Sequence, residues 1–443
     1  MSPYVEGSTV VGGRKRAKVQ RGRHVAGADN GTAMSGMPSP EQPARRGRRR
    51  HRRSWGERVL LGLIVLAALA LVGAGALYGY ARYRFSQIPK VAIPSLSSIA
   101  DGAPFNVLLV GSDSRQGESA AQEQQFGSPT EVTGARSDVI KILHVDPASG
   151  TARILDIPRD TLVTMSGVGS TYGSYNRINV PFGTSADALV QTIQDTFGIP
   201  ISHYVEIDFF GFEGAVDAVG GVTMDFPYPA KDAYTGLNVT QPGCQLLNGG
   251  YSLAVARSRH YEYFKDGYWQ YDPTSDFGRI QRQDAFLRAL INRAESRYNP
   301  LTINAFLGSI VHDVTIDNTF SLGELLSLAQ RYHAFSSASL QSYTLPTYSV
   351  GSWGSYGDVL FVKEPDAQNL ITQFLGTAPQ TPTTPPIAPS GYPVPLSSLG
   401  TGSSGTGSSG TGSSASAPGA AGAGTTTTST TAPPQADFDP TPC

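Results

Sequence analysis

The sequence predicts a mixed α/β domain carried on one N-terminal transmembrane helix, and three stretches carry that prediction. Val59–Tyr80 contains no charged residue, and about 20 apolar residues suffice to cross a bilayer as a helix. Arg136–Asp160 holds two apolar, β-branched-rich runs, Val139–Val145 and Ala152–Ile157, on either side of Asp146-Pro147-Ala148-Ser149-Gly150. That insert is a strong turn signal, so the stretch reads as an antiparallel hairpin. Beyond residue 184, helical periods alternate with short strand-like runs, the pattern of a mixed α/β domain.

The chain divides into segments of different composition. Residues 1–58 hold fourteen Lys or Arg, seven of them within Arg45–Arg53, against four acidic residues, a surplus of ten positive charges. They lack an apolar period and read as a disordered basic cytoplasmic tail. The whole chain is −1, so residues 59–443 carry −11. A structured part of that charge would repel a phosphate backbone, which excludes a nucleic-acid-coating protein and makes any anion site local. The arginine run precedes residues 59–80 and only Arg82, Arg84 and Lys90 follow closely, which predicts a single-pass cell-membrane protein with the N-terminus cytoplasmic and the remainder extracytoplasmic. A cleaved signal peptide is the competing reading, but the apolar region exceeds the usual 7 to 15 residues.

Residues 81–103 read as a Pro-punctuated stalk, and the folded domain is expected over 104–376. Phe105–Val110 reads as a buried strand running into Gly111-Ser112-Asp113-Ser114-Arg115, and 116–135 as a polar loop. After the hairpin, Thr184 or Ser185 caps a helix to about Phe197. A strand over 203–208, a helix over 209–219 and a strand over 221–226 follow. Arg279–Arg297 is amphipathic, with Ile280, Leu287, Ile291 and Ala294 on one stripe and Arg279 and Gln283 on another. Helices near 301–312, 320–333 and 365–376 complete the domain. From 377 to 443, Pro, Thr, Ser, Gly and Ala dominate, which predicts a disordered tail. Its Gly400–Gly405 match to GxGxxG follows no strand and opens no helix, so it carries no nucleotide-binding meaning. The two cysteines, Cys244 and Cys443, have no metal spacing. They are either an oxidised pair or one semi-buried thiol and one tail thiol.

Four clusters share one chemical character: Asp113 with Arg115; Arg136 with Asp138; Arg159 with Asp160; and Arg257 and Arg259 with Arg279, Arg282 and Gln283. Arginine offers a planar fork of donors that matches phosphate oxygens two at a time. If Val145 faces Ala152 across the turn, counting outward sets Asp138 opposite Arg159. Asp113 and Asp138 sit at strand ends, and magnesium is typically held by one or two carboxylates plus substrate phosphates. Each cluster taken alone reads more readily as an ordinary salt bridge or a solvated helix face than as a site. Together they point to a pyrophosphate–metal site, with Arg115 and Arg282 among the anion ligands.

The motifs NVLLVGSDSR (106–115), RSDVIKILHVDP (136–147), ILDIPRDT (154–161), NRIN (176–179), DFFGFEGAVDAVGGV (208–222), LNGGYSLAVARSRH (247–260) and DFGRIQRQ (276–283) resemble those of the LytR-CpsA-Psr family. The resemblance covers about residues 104–300. It implies a three-layer α/β/α domain around a mixed twisted sheet, and an extracytoplasmic phosphotransferase that attaches polyprenyl-pyrophosphate-linked glycopolymers to peptidoglycan with release of polyprenyl phosphate. It further implies that Asp113 and Asp138 hold Mg²⁺ or Mn²⁺, and that Arg136, Arg159, Arg257, Arg259, Arg279 and Gln283 hold the pyrophosphate. Arg136, Asp138, Arg159 and Asp160 are then the catalytic group, with Asp138 or Asp160 taking the hydroxyl proton. The expected partners are the lipid-linked glycan donor, the peptidoglycan acceptor and the membrane.

Three features depart from the family pattern or bear on it. Arg177 stands where many members carry lysine. Residues 261–275 lengthen the gap before the Arg279 helix, and their tyrosines and Trp269 form either a sugar-stacking lip or a packed loop. High Gly, Ala, Arg and Thr use suggests an actinobacterial member, whose polymer would be arabinogalactan rather than one resembling teichoic acid. Two other functions compete: a pyrophosphatase that transfers to water, and a non-catalytic membrane-anchored regulator or glycan-binding module. The second would need a cytoplasmic effector, and residues 1–58 carry no helix-turn-helix pattern.

Overall fold

The computed structural model describes residues 55–100, 102–113, 137–166, 168, 173–296, 308, 311–331, 336–384, 387 and 435–443. Helix α1 (Trp55–Ser86) contains a stretch, Leu63–Ser86, of mean hydropathy 2.1, long and apolar enough to cross a membrane.

Seven strands build a central mixed sheet: β1 (Lys90–Val91), β2 (Phe105–Ser112), β3 (Ser137–Asp146), β4 (Thr151–Asp156), β5 (His203–Ile207), β6 (Val314–Asp317) and β7 (Gln341–Thr344). Their spatial order is β1-β6-β5-β2-β3-β4-β7. β2 and β3 pair antiparallel, as do β3 and β4, whereas β2 with β5 and β4 with β7 are parallel. Period-2 alternation sends successive side chains to opposite faces. Leu108, Val110, Ile140, Ile142 and Leu155 point into the main core, where they meet α2 (Ala186–Phe197) and a late helix over Asp366–Leu375. Val107, Leu109, Leu143 and Ile154 face the other way, toward Leu287 and Ile291 of a long helix over Asp276–Ser296 and toward Leu328. Helices on both faces of a mixed sheet make the expected three-layer α/β/α arrangement.

The hairpin register is the one counted from the sequence, with Val145 opposite Ala152. Ser185 caps α2 by accepting from the Ala188 amide, and Gly198 closes it in the left-handed region. Ala188, Leu189 and Ile193 are buried in the core, so ordinary packing accounts for that helix's apolar face. α3 (Phe209–Ala218) and α4 (Gly249–Arg257) precede the long helix, α5 (Asp276–Ser296), which starts three residues before the expected Arg279. Asp276 in its first turn suits the positive end of the helix dipole. The expected loop over 116–135 and most of the expected helix near 301–312 lie outside the described residues.

Two regions are more ordered than the sequence alone indicated. Residues 261–275 form a hairpin, Glu262–Lys265 with Tyr268–Tyr271, inside a four-stranded sheet that includes Ala230–Asp232 and Leu237–Val239. The segment after 376 is not structureless where it is described: the Gln380 amide bonds the Gly198 carbonyl, and residues 435–443 pack into the second core. There Phe438 stacks on Tyr263 at 4.2 Å, Thr441–Pro442 pairs with the strand Val222–Phe226, and Cys443 is bridged to Cys244. Composition predicted disorder here because one phenylalanine and one cysteine are invisible in a Gly/Ser/Thr average.

Candidate anion site

The β2–β3 ladder breaks where the site begins. Gly111 pairs with Val139 and Ser112 with Ser137, so Asp138 is the extra residue of a β-bulge. A bulge leaves its extra residue outside the ladder and re-aims it. Gly111 permits the close approach, since a Cβ there would lie 2.9 Å from the Val139 Cβ. Arg159, just past the end of β4, donates from Nη1 to Asp138 Oδ1, the pairing counted across the hairpin. Asp113 follows the last residue of β2 and so lies at the strand end beside this bulge.

Helix α5 supplies the opposite wall. Arg279 Nη2 donates to the Asp138 carbonyl at 3.2 Å and pairs with Asp276 at 2.9 Å. Asp276 also pairs with Arg259 Nε at 3.0 Å, and Arg259 Nη2 lies 3.9 Å from Asp160. Asp160 in turn pairs with Arg177 Nε at 3.1 Å and with Arg159 Nε at 3.6 Å. Four arginines and three aspartates from five segments therefore form one network. Between the walls lies a cleft of about 10 Å³ lined by Asp138, Asp156, Arg159, Arg279 and Gln283 with Ile280 beside them. That is room for roughly one water, so a larger anion would sit at the mouth, where Arg159 and Arg259 are part-exposed.

The two arginines facing Asp138 are shifted in opposite directions. Burial pulls the Arg159 guanidinium downward, but Asp138, Asp160 and Asp276 outweigh it and leave its pKa above the ordinary value. Burial and the neighbouring Arg159 and Arg259 charges pull Arg279 below its ordinary value, despite Asp276. The buried Nε–H of Arg279 has no hydrogen-bond acceptor among the described residues, whereas those of Arg259 and Arg159 face the Asp276 and Asp160 carboxylates as ion pairs without forming well-aligned hydrogen bonds. Buried donors are nearly always satisfied, so the unpartnered Arg279 Nε–H at the cleft marks a place for an acceptor oxygen.

Not every expected ligand belongs to this group. Arg115 and Arg136 lie outside the described residues. Arg257 ends α4 and lies over the Phe209 ring at 4.4 Å. Gln283 lines the cleft, but its amide donates to the Ala256 carbonyl at 2.8 Å. Arg282 is a correction: it is fully buried and pairs with Asp272 at 2.8 Å and Asp439 at 2.7 Å, and it donates to the Ser258 carbonyl. Its neighbours Arg279 and Gln283 face the cleft, whereas Arg282 is turned to the buried side by two acids, one of them 157 residues away in sequence. Gly278 admits this packing, since a Cβ there would lie 2.1 Å from Asp272 Oδ2.

Asp276 and Arg177 complete the network. Each stood inside a quoted motif, DFGRIQRQ and NRIN. Under the cleft floor lies a buried triad, in which Lys141 Nζ pairs with Asp156 and with Asp284 Oδ1, the latter at 2.7 Å. Its signal was a lysine inside the apolar run Val139–Val145, in register with Asp156. Burial and Asp284 push the Asp156 carboxyl well above the usual carboxylate range, while Lys141 acts against them.

The LytR_cpsA_psr family model matches residues 82–374. The probable cell wall biosynthesis protein LcpB of Corynebacterium glutamicum is 31% identical over 333 residues, 74% of this chain and 74% of that protein. The polyisoprenyl-teichoic acid–peptidoglycan teichoic acid transferase TagV of Bacillus subtilis is 30% identical over 329 residues, 71% of this chain and 76% of that protein. Among solved structures, the LytR-Csp2A-Psr enzyme from Actinomyces oris superposes with a TM-score of 0.52 at 24% identity, covering 66% of this chain and 97% of that one, a likeness of fold. On the family match over residues 82–374 and on these relatives, the chain belongs to the LytR_cpsA_psr family.

Proposed function

We propose that the protein is a membrane-anchored, extracytoplasmic phosphotransferase that joins a polyprenyl-pyrophosphate-linked glycopolymer to a hydroxyl of peptidoglycan. The observation that carries this reading is the convergence of Arg159, Arg177, Arg259 and Arg279 with Asp138, Asp160 and Asp276 at one cleft, where the buried Arg279 Nε–H is left without an acceptor. The relatives' names support the substrate class, since TagV is a teichoic acid transferase to peptidoglycan.

Phosphoryl transfer is governed by positioning and charge compensation. The acceptor oxygen bonds to the sugar-proximal phosphorus as the bond from that phosphorus to the bridging oxygen breaks. Polyprenyl phosphate leaves with the bonding pair. Arg159, Arg259 and Arg279 offer donors to the equatorial and leaving oxygens, while Asp276 and Asp160 fix the guanidinium planes. The hydroxyl proton passes to Asp160 or Asp138, of which Asp138 would be the poorer base while it holds a metal ion. Asp113 and Asp138 would hold Mg²⁺ or Mn²⁺, because oxygen ligands at one strand end suit a hard cation whose remaining positions phosphate oxygens complete. Such an ion would neutralise charge on the pyrophosphate.

Incubating the full chain in detergent with donor, peptidoglycan and magnesium tests the reading. Polymer covalently joined to peptidoglycan, with one polyprenyl phosphate released per link, is the expected product. Free phosphorylated glycan alone would make the protein a pyrophosphatase, and tight donor binding without turnover would make it a recognition module.

A further inference from the structure

The small sheet beside the anion site has an outward face of unusual composition. In the order Leu237–Val239, Ala230–Asp232, Glu262–Lys265, Tyr268–Tyr271, one side buries Leu237, Val239, Ala230 and Tyr263 in the second core. Period-2 alternation therefore turns Lys231, Glu262, Phe264, Trp269 and Tyr271 to the other side. Phe264 is opposite Trp269, Glu262 opposite Tyr271, and Lys231 opposite Glu262. The solvated face of an antiparallel sheet is ordinarily polar. Here Phe264, Trp269 and Tyr271 stand 38%, 41% and 50% exposed.

These rings are held, not loose. Phe264 and Trp269 meet edge to face at 5.5 Å, Lys231 Nζ sits 4.2 Å over the Trp269 ring, and Lys231 pairs with Glu262 at 3.2 Å. The row also runs into the anion site. Tyr271 Oη donates to the Arg259 carbonyl at 3.2 Å, and Arg259 is the residue paired with Asp276.

We propose that this face is a carbohydrate subsite that seats the peptidoglycan acceptor strand next to the reacting phosphorus. The inference rests on the phosphotransferase reading above. Exposed aromatic surface beside a functional site marks a ligand contact, and rings with a polar rim suit ligands that are apolar on one face and hydroxylated at the edge. Lys231 and Glu262 offer a donor and an acceptor for sugar hydroxyls and cancel in charge. That neutrality disfavours an anionic membrane surface, which calls for clustered Lys and Arg. The donor already has a charged handle for the arginines. The acceptor's reacting end is a neutral hydroxyl, so its affinity has to come from stacking and hydrogen bonds along the strand.

The test uses the full chain in detergent and soluble, uncrosslinked N-acetylglucosamine–N-acetylmuramic acid strands as the probe in calorimetric titration. Trp269→Ala should weaken strand binding by roughly tenfold or more, as truncation of an aromatic anchor does, and Trp269→Phe should recover most of it. The side chain is surface-exposed, so both variants should melt with the wild type. In the transfer assay Trp269→Ala should raise KM for the strand and leave KM for the donor unchanged. Unchanged strand affinity in Trp269→Ala, a rise in donor KM alone, or displacement of the strand by phosphatidylglycerol vesicles would each overturn the proposal. Strand binding lost in Trp269→Ala while no phosphoryl transfer occurs from any donor would support the subsite and sink the reaction instead.

Discussion

Arg279 and Arg282 lie three residues apart on one helix and should fail in opposite ways. Arg279 carries an orphaned donor at the cleft, so Arg279→Ala should lower kcat by on the order of 10² to 10⁵ in the transfer assay, with a smaller loss of stability than Arg282→Ala, because Asp276 keeps Arg259 as a partner. Arg282 neutralises Asp272 and Asp439 with all three side chains fully buried. Arg282→Ala strands two buried carboxylates, and losing one partner of such a group costs about 3–5 kcal/mol, read as a drop in the denaturation midpoint. Counting i, i+3 and i+4 from the sequence could not separate them, because one of the two acids that turn Arg282 away, Asp439, lies in the 377–443 segment read as a disordered tail. Asp317 makes a third, pH-dependent case. Burial would raise its carboxyl, but hydrogen bonds from His203, Thr319 and the Tyr204 amide outweigh burial and bring it down to about 2. A depressed carboxyl stabilises the fold above its unfolded value near 4 and loses that contribution as pH falls toward 2, an amount of about 2–3 kcal/mol. Asp317→Asn should therefore be less stable than wild type at pH 6, and the gap should close on acidification to pH 2.

At the scale of elements, the hairpin was legible because its information is local. Alternation, a turn signal and equal counting on both arms fix Val145 opposite Ala152 and bring Arg159 to Asp138. The bulge at Asp138 was not legible, since it arises from how β2 meets β3 beyond the stretch 116–135 that the sequence reads as a loop. The element least legible was the strap of residues 435–443. Its contacts with Tyr263, Arg282 and the strand Val222–Phe226 all cross long separations, and the bridge to Cys244 spans 199 residues. A cross-link closing so long a loop restricts the unfolded chain strongly, with typical stabilisation of 2–4 kcal/mol. Cys443→Ser, or reduction of the wild type, should lower the urea midpoint by an amount in that range. Asp439 and Phe438 remain able to dock without the bridge, so the variant should still fold and retain measurable transfer activity. Equal midpoints for the oxidised and reduced protein would mean that the strap's contacts alone hold it.

For the molecule as a whole, composition placed the charge on opposite sides of one apolar helix, +10 in residues 1–58 and −11 in residues 59–443. That division predicts orientation, since basic flanks stay cytoplasmic, and it forces anion recognition into a local arginine network rather than a basic surface. Both consequences can be read together. Protease added outside intact protoplasts should digest the chain beyond Ser86, the end of α1, and leave an N-terminal fragment still carrying the Arg45–Arg53 run; full protection of the domain would reverse the topology. The same helix should act on rate. A polyprenyl donor is confined to the bilayer, so anchoring converts encounter from three dimensions into an effectively tethered search, and tethering gains of 10² to 10⁴ are typical. A chain lacking residues 1–80 should therefore lose on the order of 10² in rate toward donor embedded in vesicles, yet match the full chain on a short-prenyl donor free in solution. Equal losses on both donors would place the defect in the folded domain rather than in its delivery to the membrane.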